Sequence, residues 1–225
     1  MAGDRWLTFD CYGTIADWNT CMRAALAQAV GVGASILLTN YHQAELVLEA
    51  TPWQPYRDVL TGGLRIAARR AGLALDEADE TAFVRAWPEM TVFEDAVPAL
   101  TALAGDGWRL AILTNCDDDL FASTAPKLPV PFDVVVTAQR VRSYKPDLAH
   151  FRNFAEMTGA TPENWIHVAN SWVHDILPAA RMGLRSVWVD RDLTGHPAKV
   201  ADRRVTSMRR LADTVADVNA LGVRG

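Results

Sequence analysis

Five short apolar runs constrain this chain more than any other feature: Trp6 to Phe9, Leu110 to Leu113, Val134 to Val136, Ile166 to Ala169 and Val187 to Val189. A strand buried on one face alternates apolar and polar residues, whereas one buried on both faces does not. These runs do not alternate, so they read as strands of a parallel sheet covered by helices on both sides. Helical patterns follow them, over Asp118 to Ala125, Leu148 to Thr158 and His174 to Met182. Strand, helix, strand, helix predicts a doubly wound α/β fold.

The segment from Trp18 to Thr91 breaks that rhythm. It carries helix-like patterns and no strand. Ala24, Leu26, Ala27 and Val30 form one apolar face, Leu46, Val47 and Leu48 begin another near Ala50, and Leu60, Leu64, Ile66 and Ala67 form a third that Gly72 ends. The stretch is too long for one crossover helix, and no Pro/Gly/Ser linker bounds it. The expectation is a core built from residues 1–17 and 92–225, with residues 18–91 inserted after the first strand as a helical cap.

Composition narrows the class. The chain has 225 residues, half of them hydrophobic, and a net charge of −5 with both signs scattered. That is enough chain for one sizeable core. No basic patch points to nucleic acid, and no apolar stretch reaches the ~18 residues that span a membrane. The three cysteines, Cys11, Cys21 and Cys116, form no CxxC pair, which favours a reducing compartment over a disulfide framework. Met1 leads into a strand within about five residues, leaving no room for a signal peptide. The expected location is the cytoplasm.

Open α/β sheets bind ligands at the carboxyl ends of their strands. Asp10, Tyr12, Gly13 and Thr14 follow the first predicted strand; Thr114, Asn115 and Cys116 follow the second. Ser143 to Asp147, with Lys145, lies beyond the third, and Asn170, Ser171, His174 and Asp175 follow the fourth. Two carboxylates, a lysine and several hydrogen-bonding side chains therefore converge on one rim. Carboxylates a few ångströms apart tend to share a proton, which would quench Asp10 as a nucleophile. A lysine between Asp10 and Asp175 keeps both ionised.

Four ordered motifs, Asp10-Cys11-Tyr12-Gly13-Thr14, Leu113-Thr114-Asn115, Tyr144-Lys145-Pro146-Asp147 and a strand ending near Asp175, resemble the haloacid dehalogenase superfamily. The resemblance implies a Rossmann-like core, with Asp10 as a nucleophile that forms a covalent ester or acyl-phosphate. It implies that Thr114 and Asn115 bind the anionic group of the substrate and that Lys145 holds the nucleophile. It also implies a homodimer as one form of assembly.

Two positions separate the branches of that superfamily. Phosphatases carry a second Asp two residues after the nucleophile; here Tyr12 stands there, and a phenol with a pKa of ~10 is a poor general acid. Phosphatases also pair two acids near the fourth strand to hold Mg²⁺; here the first is Asn170 and only Asp175 remains. An aromatic at position 12 resembles the haloacid dehalogenases themselves. The implied reaction is metal-independent substitution at carbon, on a small carboxylic acid such as a 2-haloalkanoic acid, with Asp175 activating water for ester hydrolysis. No cofactor is expected. The predicted ligand-contacting set is Tyr12, Thr14, Trp18, His42, Thr114, Asn115, Asn170, Ser171 and His174.

Dehalogenases carry an early cap arginine for the departing halide. The matching place falls at Tyr41-His42, giving His42, with Arg23 and Arg57 as substitutes. Trp172 stands where a small polar residue is usual. A histidine suits an amine leaving group better than a halide, so C–N ring opening of the azetidine-2-carboxylate type stays open. So do a Mg²⁺-dependent phosphatase of the same fold, the one case needing a metal, and a non-catalytic or regulatory member. His150, His167 and His196 receive no role, and the Asp117-Asp118-Asp119 run reads as a helix start.

Overall fold

A computed structural model describes residues 4–221. Its centre is a six-stranded, all-parallel sheet in the order β3-β2-β1-β4-β5-β6. The strands are β1 (Trp6–Phe9), β2 (Arg109–Thr114), β3 (Val134–Thr137), β4 (Trp165–Ala169), β5 (Arg185–Val189) and β6 (Arg203–Val205). Five coincide with the apolar runs of the sequence. The sixth has no such run, because it is a three-residue edge strand with exposed Arg203 and Arg204. Arg204 Nε donates to buried Asp190 just beyond β5, at 2.8 Å, which pins this edge. Every residue of β1, β4 and β5 is buried, as continuous apolar runs require.

The described segment between β1 and β2 begins with five helices, α1 (Trp18–Val30), α2 (Ala34–Glu49), α3 (Tyr56–Ala71), α4 (Glu77–Glu80) and α5 (Ala82–Ala86). The Asp17 side chain caps α1 by accepting from Thr20 N. Gly72 ends α3 in the left-handed conformation, φ 69°, as its position in the sequence predicts. The expected helix beginning near Leu46 is instead the last turn of α2. That helix starts at Ala34, after a Gly31–Gly33 turn, and buries Leu37, Leu38, Tyr41 and Ala44. Its earlier turns show little apolar periodicity because Tyr41 and Glu45 are buried as a hydrogen-bonded pair.

The remaining helices cover the sheet: α6 (Ala96–Gly105), α7 (Asp118–Thr124), α8 (Ala138–Val141), α9 (Ala149–Thr158), α10 (Leu177–Arg181) and α11 (Leu211–Ala220). The helix expected over His174 to Met182 is divided. A π-helical turn spans Trp172–Ile176, and α10 follows with Pro178 in its first turn. One apolar cluster runs from α11 and α6 through β1 into α1, α2 and α3, and a second packs α9 on the opposite face. No helix among the described residues is long and apolar enough to cross a membrane.

Candidate active site

Strands β2, β1 and β4 end within two residues of one another. Phe9 is level with Ile112 on one side and Val168 on the other, so Asp10, Thr114 and Asn170 leave the sheet beside one another. The connections run one way from β1 through β2 to β3 and the other way from β4 to β6, so this is a topological switch point. Gly13 turns the chain just after Asp10 with φ 87°, which a side chain would strain.

Lys145 is the hub. Its Nζ donates to Asp10 Oδ1 at 3.0 Å, to Asp175 Oδ1 at 2.6 Å and to Leu113 O at 2.8 Å, and the residue is 1% exposed. Two carboxylates and a carbonyl thus compensate a fully buried ammonium, which they hold above its ordinary pKa despite burial. The carboxylates share the lysine unequally. Burial raises the pKa of Asp175, but Lys145 and His167 outweigh it and hold the group at about 2. Burial dominates at Asp10, whose pKa is raised although Lys145 and Thr14 oppose it. Asp175 is therefore the more firmly ionised member of the pair.

Asp10, Tyr12, Trp18, His42, Thr114, Asn115, Lys145, Asn170, Ser171, His174 and Asp175 line one cavity of about 340 Å³. Thr14 does not. It is fully buried, donates from Oγ1 to Asp10 Oδ2 at 2.8 Å and accepts from Asn170 N at 2.8 Å, so it orients the carboxylate from behind. The Tyr12 ring lines the cavity, but its hydroxyl points to Thr124 and Leu120 O and accepts from Trp87 Nε1. Burial raises the pKa of that phenol well above its ordinary value.

Asp175 does not sit at a strand end. β4 stops at Ala169, and the π-helical turn carries Asp175 back over the rim. Asn170 donates from Nδ2 to Asp192 and accepts at Oδ1 from Arg191 N, so its amide is engaged within the rim. Arg23 and Arg57, the alternatives to His42, do not line the cavity; Arg57 pairs with Asp119 on the exterior. His42 is half exposed, rests near Trp18 and lies 3.6 Å from Glu45.

The residues the sequence analysis passed over are mostly acidic or aromatic. Glu45 and Glu49, one turn apart on α2, form the wall facing the sheet. Glu45 Oε1 accepts from Tyr41 and Tyr56 hydroxyls. Glu49 accepts from Asn115 Nδ2 at 3.0 Å and lies 2.9 Å from His174 Nε2, as an ion pair off the line of a good hydrogen bond. Burial alone would lower the pKa of His174, but Glu49 and Glu45 raise it to about 9, so the imidazole is a cation at neutral pH. Asn115 also donates to Lys145 O, so its amide hydrogens are spent joining α2 to the rim. His196 stacks on Trp172 at 5.3 Å, and both line the cavity mouth. His167 lies fully buried behind Asp175, and His150, at 3.2 Å from Thr114 O, is held neutral by burial with a pKa of about 3. Only the helical spacing of Glu45 and Glu49, four residues apart, was visible in the sequence, and it reads equally well as a solvated face.

Comparison with known proteins agrees with this geometry. The family model for haloacid dehalogenase-like hydrolases matches residues 5–183. An (S)-2-haloacid dehalogenase 4A of Burkholderia cepacia is 28% identical over 203 residues, covering 84% of this chain and 83% of that protein. A phosphoserine phosphatase of Thermus thermophilus is 30% identical over 191 residues, covering 82% and 76%. The crystal structure of an L-2-haloacid dehalogenase superposes with a TM-score of 0.84 at 24% identity, over 96% of this chain and all of that one, which is a likeness of fold.

Proposed function

The chain belongs to the haloacid dehalogenase-like hydrolases, and from that premise we propose that it hydrolyses a small carboxylic acid by metal-independent substitution at carbon. The observation that carries this reading is the Lys145 bridge between Asp10 and Asp175 at the floor of an aromatic-lined cavity. Residues 18–91 act as the cap over that floor. An Asp10 carboxylate oxygen attacks the substrate carbon, and the leaving group departs with the bonding pair. Water then attacks Asp10 Cγ while Asp175 takes its proton. The tetrahedral intermediate then collapses and expels the product alkoxide, which recovers that proton, while the second proton of the water leaves the Asp10 carboxyl to solvent, so Asp10 keeps one oxygen from water. Thr114 and the backbone N–H groups of the turn after β2 receive the substrate's carboxylate, since the Asn115 side chain is engaged with Glu49 and Lys145. A reducing cytoplasm suits the unpaired Cys11, Cys21 and Cys116.

Magnesium-assisted phosphoryl transfer fits these residues poorly. A carboxamide, Asn170, stands on the rim with its Oδ1 accepting from Arg191 N and its Nδ2 donating to Asp192, and Tyr12 has turned its hydroxyl from the cavity. A 2-haloalkanoic acid is the leading substrate class. One observation favours C–N cleavage as the second reading: no arginine is among the described residues lining the cavity, whereas Glu45 and Glu49 of the cap wall face cationic His174 of the turn after β4. A protonated imidazole there would deliver its proton to a nitrogen as the carbon–nitrogen bond breaks.

The experiment compares chloride release from 2-chloropropionate with phosphate release from an aryl phosphate, with and without Mg²⁺. Chloride release indifferent to chelator is expected. Phosphate turnover that requires Mg²⁺ would sink the reading. Single turnover in ¹⁸O water should place label in the Asp10 peptide; turnover without label would exclude the ester.

A further inference from the structure

Behind Asp175 lies a hydrogen-bonded chain that the reaction above leaves unused. Trp165 Nε1 is 2.7 Å from Thr8 Oγ1, Thr8 Oγ1 is 2.8 Å from His167 Nδ1, and His167 Nε2 is 3.0 Å from Asp175 Oδ1. All four residues are 1% exposed or less. The sheet builds the chain: Thr8 of β1 is directly level with His167 of β4, and Trp6 with Trp165. The Phe151 ring closes over His167 at 5.0 Å.

The direction of the chain follows from its two ends. An indole nitrogen only donates, so Thr8 Oγ1 accepts from Trp165, and an ionised carboxylate only accepts, so His167 Nε2 carries a proton and donates it to Asp175 Oδ1. In the neutral imidazole Nδ1 is then bare, and Thr8 Oγ1 donates its hydrogen to it. That same oxygen accepts from Lys145, whereas buried Asp175 Oδ2 has no hydrogen-bond partner among the described residues. Both donors crowd one oxygen and leave the other with its lone pairs unengaged.

We propose that His167 is a positioning residue for ester hydrolysis: Thr8 fixes its proton on Nε2, and that proton, with Lys145, locks Asp175 so that Oδ2 is the oxygen that takes the proton from the attacking water. The proposal rests on the ester reading given above. It assigns work to two fully buried polar side chains that a purely apolar strand interior would not carry, since burying them without such partners is costly. It also separates the two halves of the reaction. Attack by Asp10 on the substrate carbon needs no base, so the chain bears only on the second half.

The test uses the whole protein and (S)-2-chloropropionate with rapid quenching. Thr8→Val and His167→Phe should leave the chloride burst within about twofold of wild type while slowing ester breakdown by at least about tenfold. The Asp10 peptide should then carry the ester mass at steady state. Thr8→Ser and His167→Gln, which keep a donor, should recover most of the loss. Equal loss in both steps, or unchanged ester breakdown in Thr8→Val, would overturn the proposal. A second measurement is independent of turnover: ¹⁵N spectra of histidine-labelled wild type should show His167 with a protonated Nε2 and a bare Nδ1. The opposite tautomer overturns the proposal whatever the kinetics. A wild type that releases no chloride but shows the expected tautomer, lost in Thr8→Val, removes the substrate reading and leaves the chain standing.

Discussion

At the residue scale the two carboxylates on Lys145 differ in what they contribute. Asp175, held at about pH 2, stabilises the fold above its unfolded pKa of ~3.9, and that contribution is lost as pH falls through about 2. Asp10, raised by burial, has the opposite sign: its ionised form is costlier in the fold than in the open chain. Asp175→Asn should therefore cost about 3 kcal/mol, because it leaves the buried ammonium undercompensated. Asp10→Asn should cost less than about 1 kcal/mol, since the amide oxygen still accepts from Lys145. It should nonetheless abolish turnover. Urea denaturation of both variants at neutral pH checks the order, and equal losses would show that Lys145 does not discriminate between its partners. Asp10 and Lys145 were legible in the sequence because strand ends and glycine turns have local signatures. His167 was not: it sits inside an otherwise apolar strand, and its partners Thr8 and Asp175 come from elsewhere in the chain.

At the scale of elements, α2 and α3 approach each other over Gly63, where an added Cβ would lie 2.8 Å from Tyr41 Cε2. Tyr41 is fully buried and its hydroxyl holds Glu45 on the cavity wall. Gly63→Ala must push either the helix or that ring, so it should destabilise by about 1–3 kcal/mol although alanine favours helix. Gly62→Ala, whose Cβ would meet Leu48 at an ordinary 3.5 Å, is the control and should be neutral or stabilising. Thermal melts of the two variants separate close packing from propensity. Elements with a strong apolar pattern were readable: five largely buried strands, and α3 with its Gly72 end. The start of α2 and the edge strand β6 were not. One hides its apolar face behind a buried polar pair, and the other has no apolar face to show.

At the scale of the whole molecule, the helices between β1 and β2 are tied to the sheet through polar groups as well as apolar packing. Asp117, which begins α7, accepts from the backbone N–H groups of Tyr56 and Arg57 at the start of α3, at 2.9 and 3.1 Å. The acidic run read in the sequence as a helix start thus serves a second helix as well. Glu49 makes the other tie, to Asn115 after β2 and to His174 after β4. That tie is pH-dependent. The pKa of His174 is raised to about 9, so its contribution is complete below the unfolded value of ~6.5 and is lost as pH rises through about 9. Burial raises the pKa of Glu49 as well, against the pull of His174 and Asn115. Wild type should therefore lose about 1–3 kcal/mol of stability between about pH 6.5 and 10 in excess of Glu49→Gln, whose profile should be flatter there. If the reading of α2 as part of a cap is right, the same pH rise should speed proteolysis within residues 18–91 before it speeds cleavage of the core, and Glu49→Gln should already cleave fast at neutral pH. Parallel pH profiles in the two proteins would show that Glu49 and His174 touch without holding the helices to the sheet.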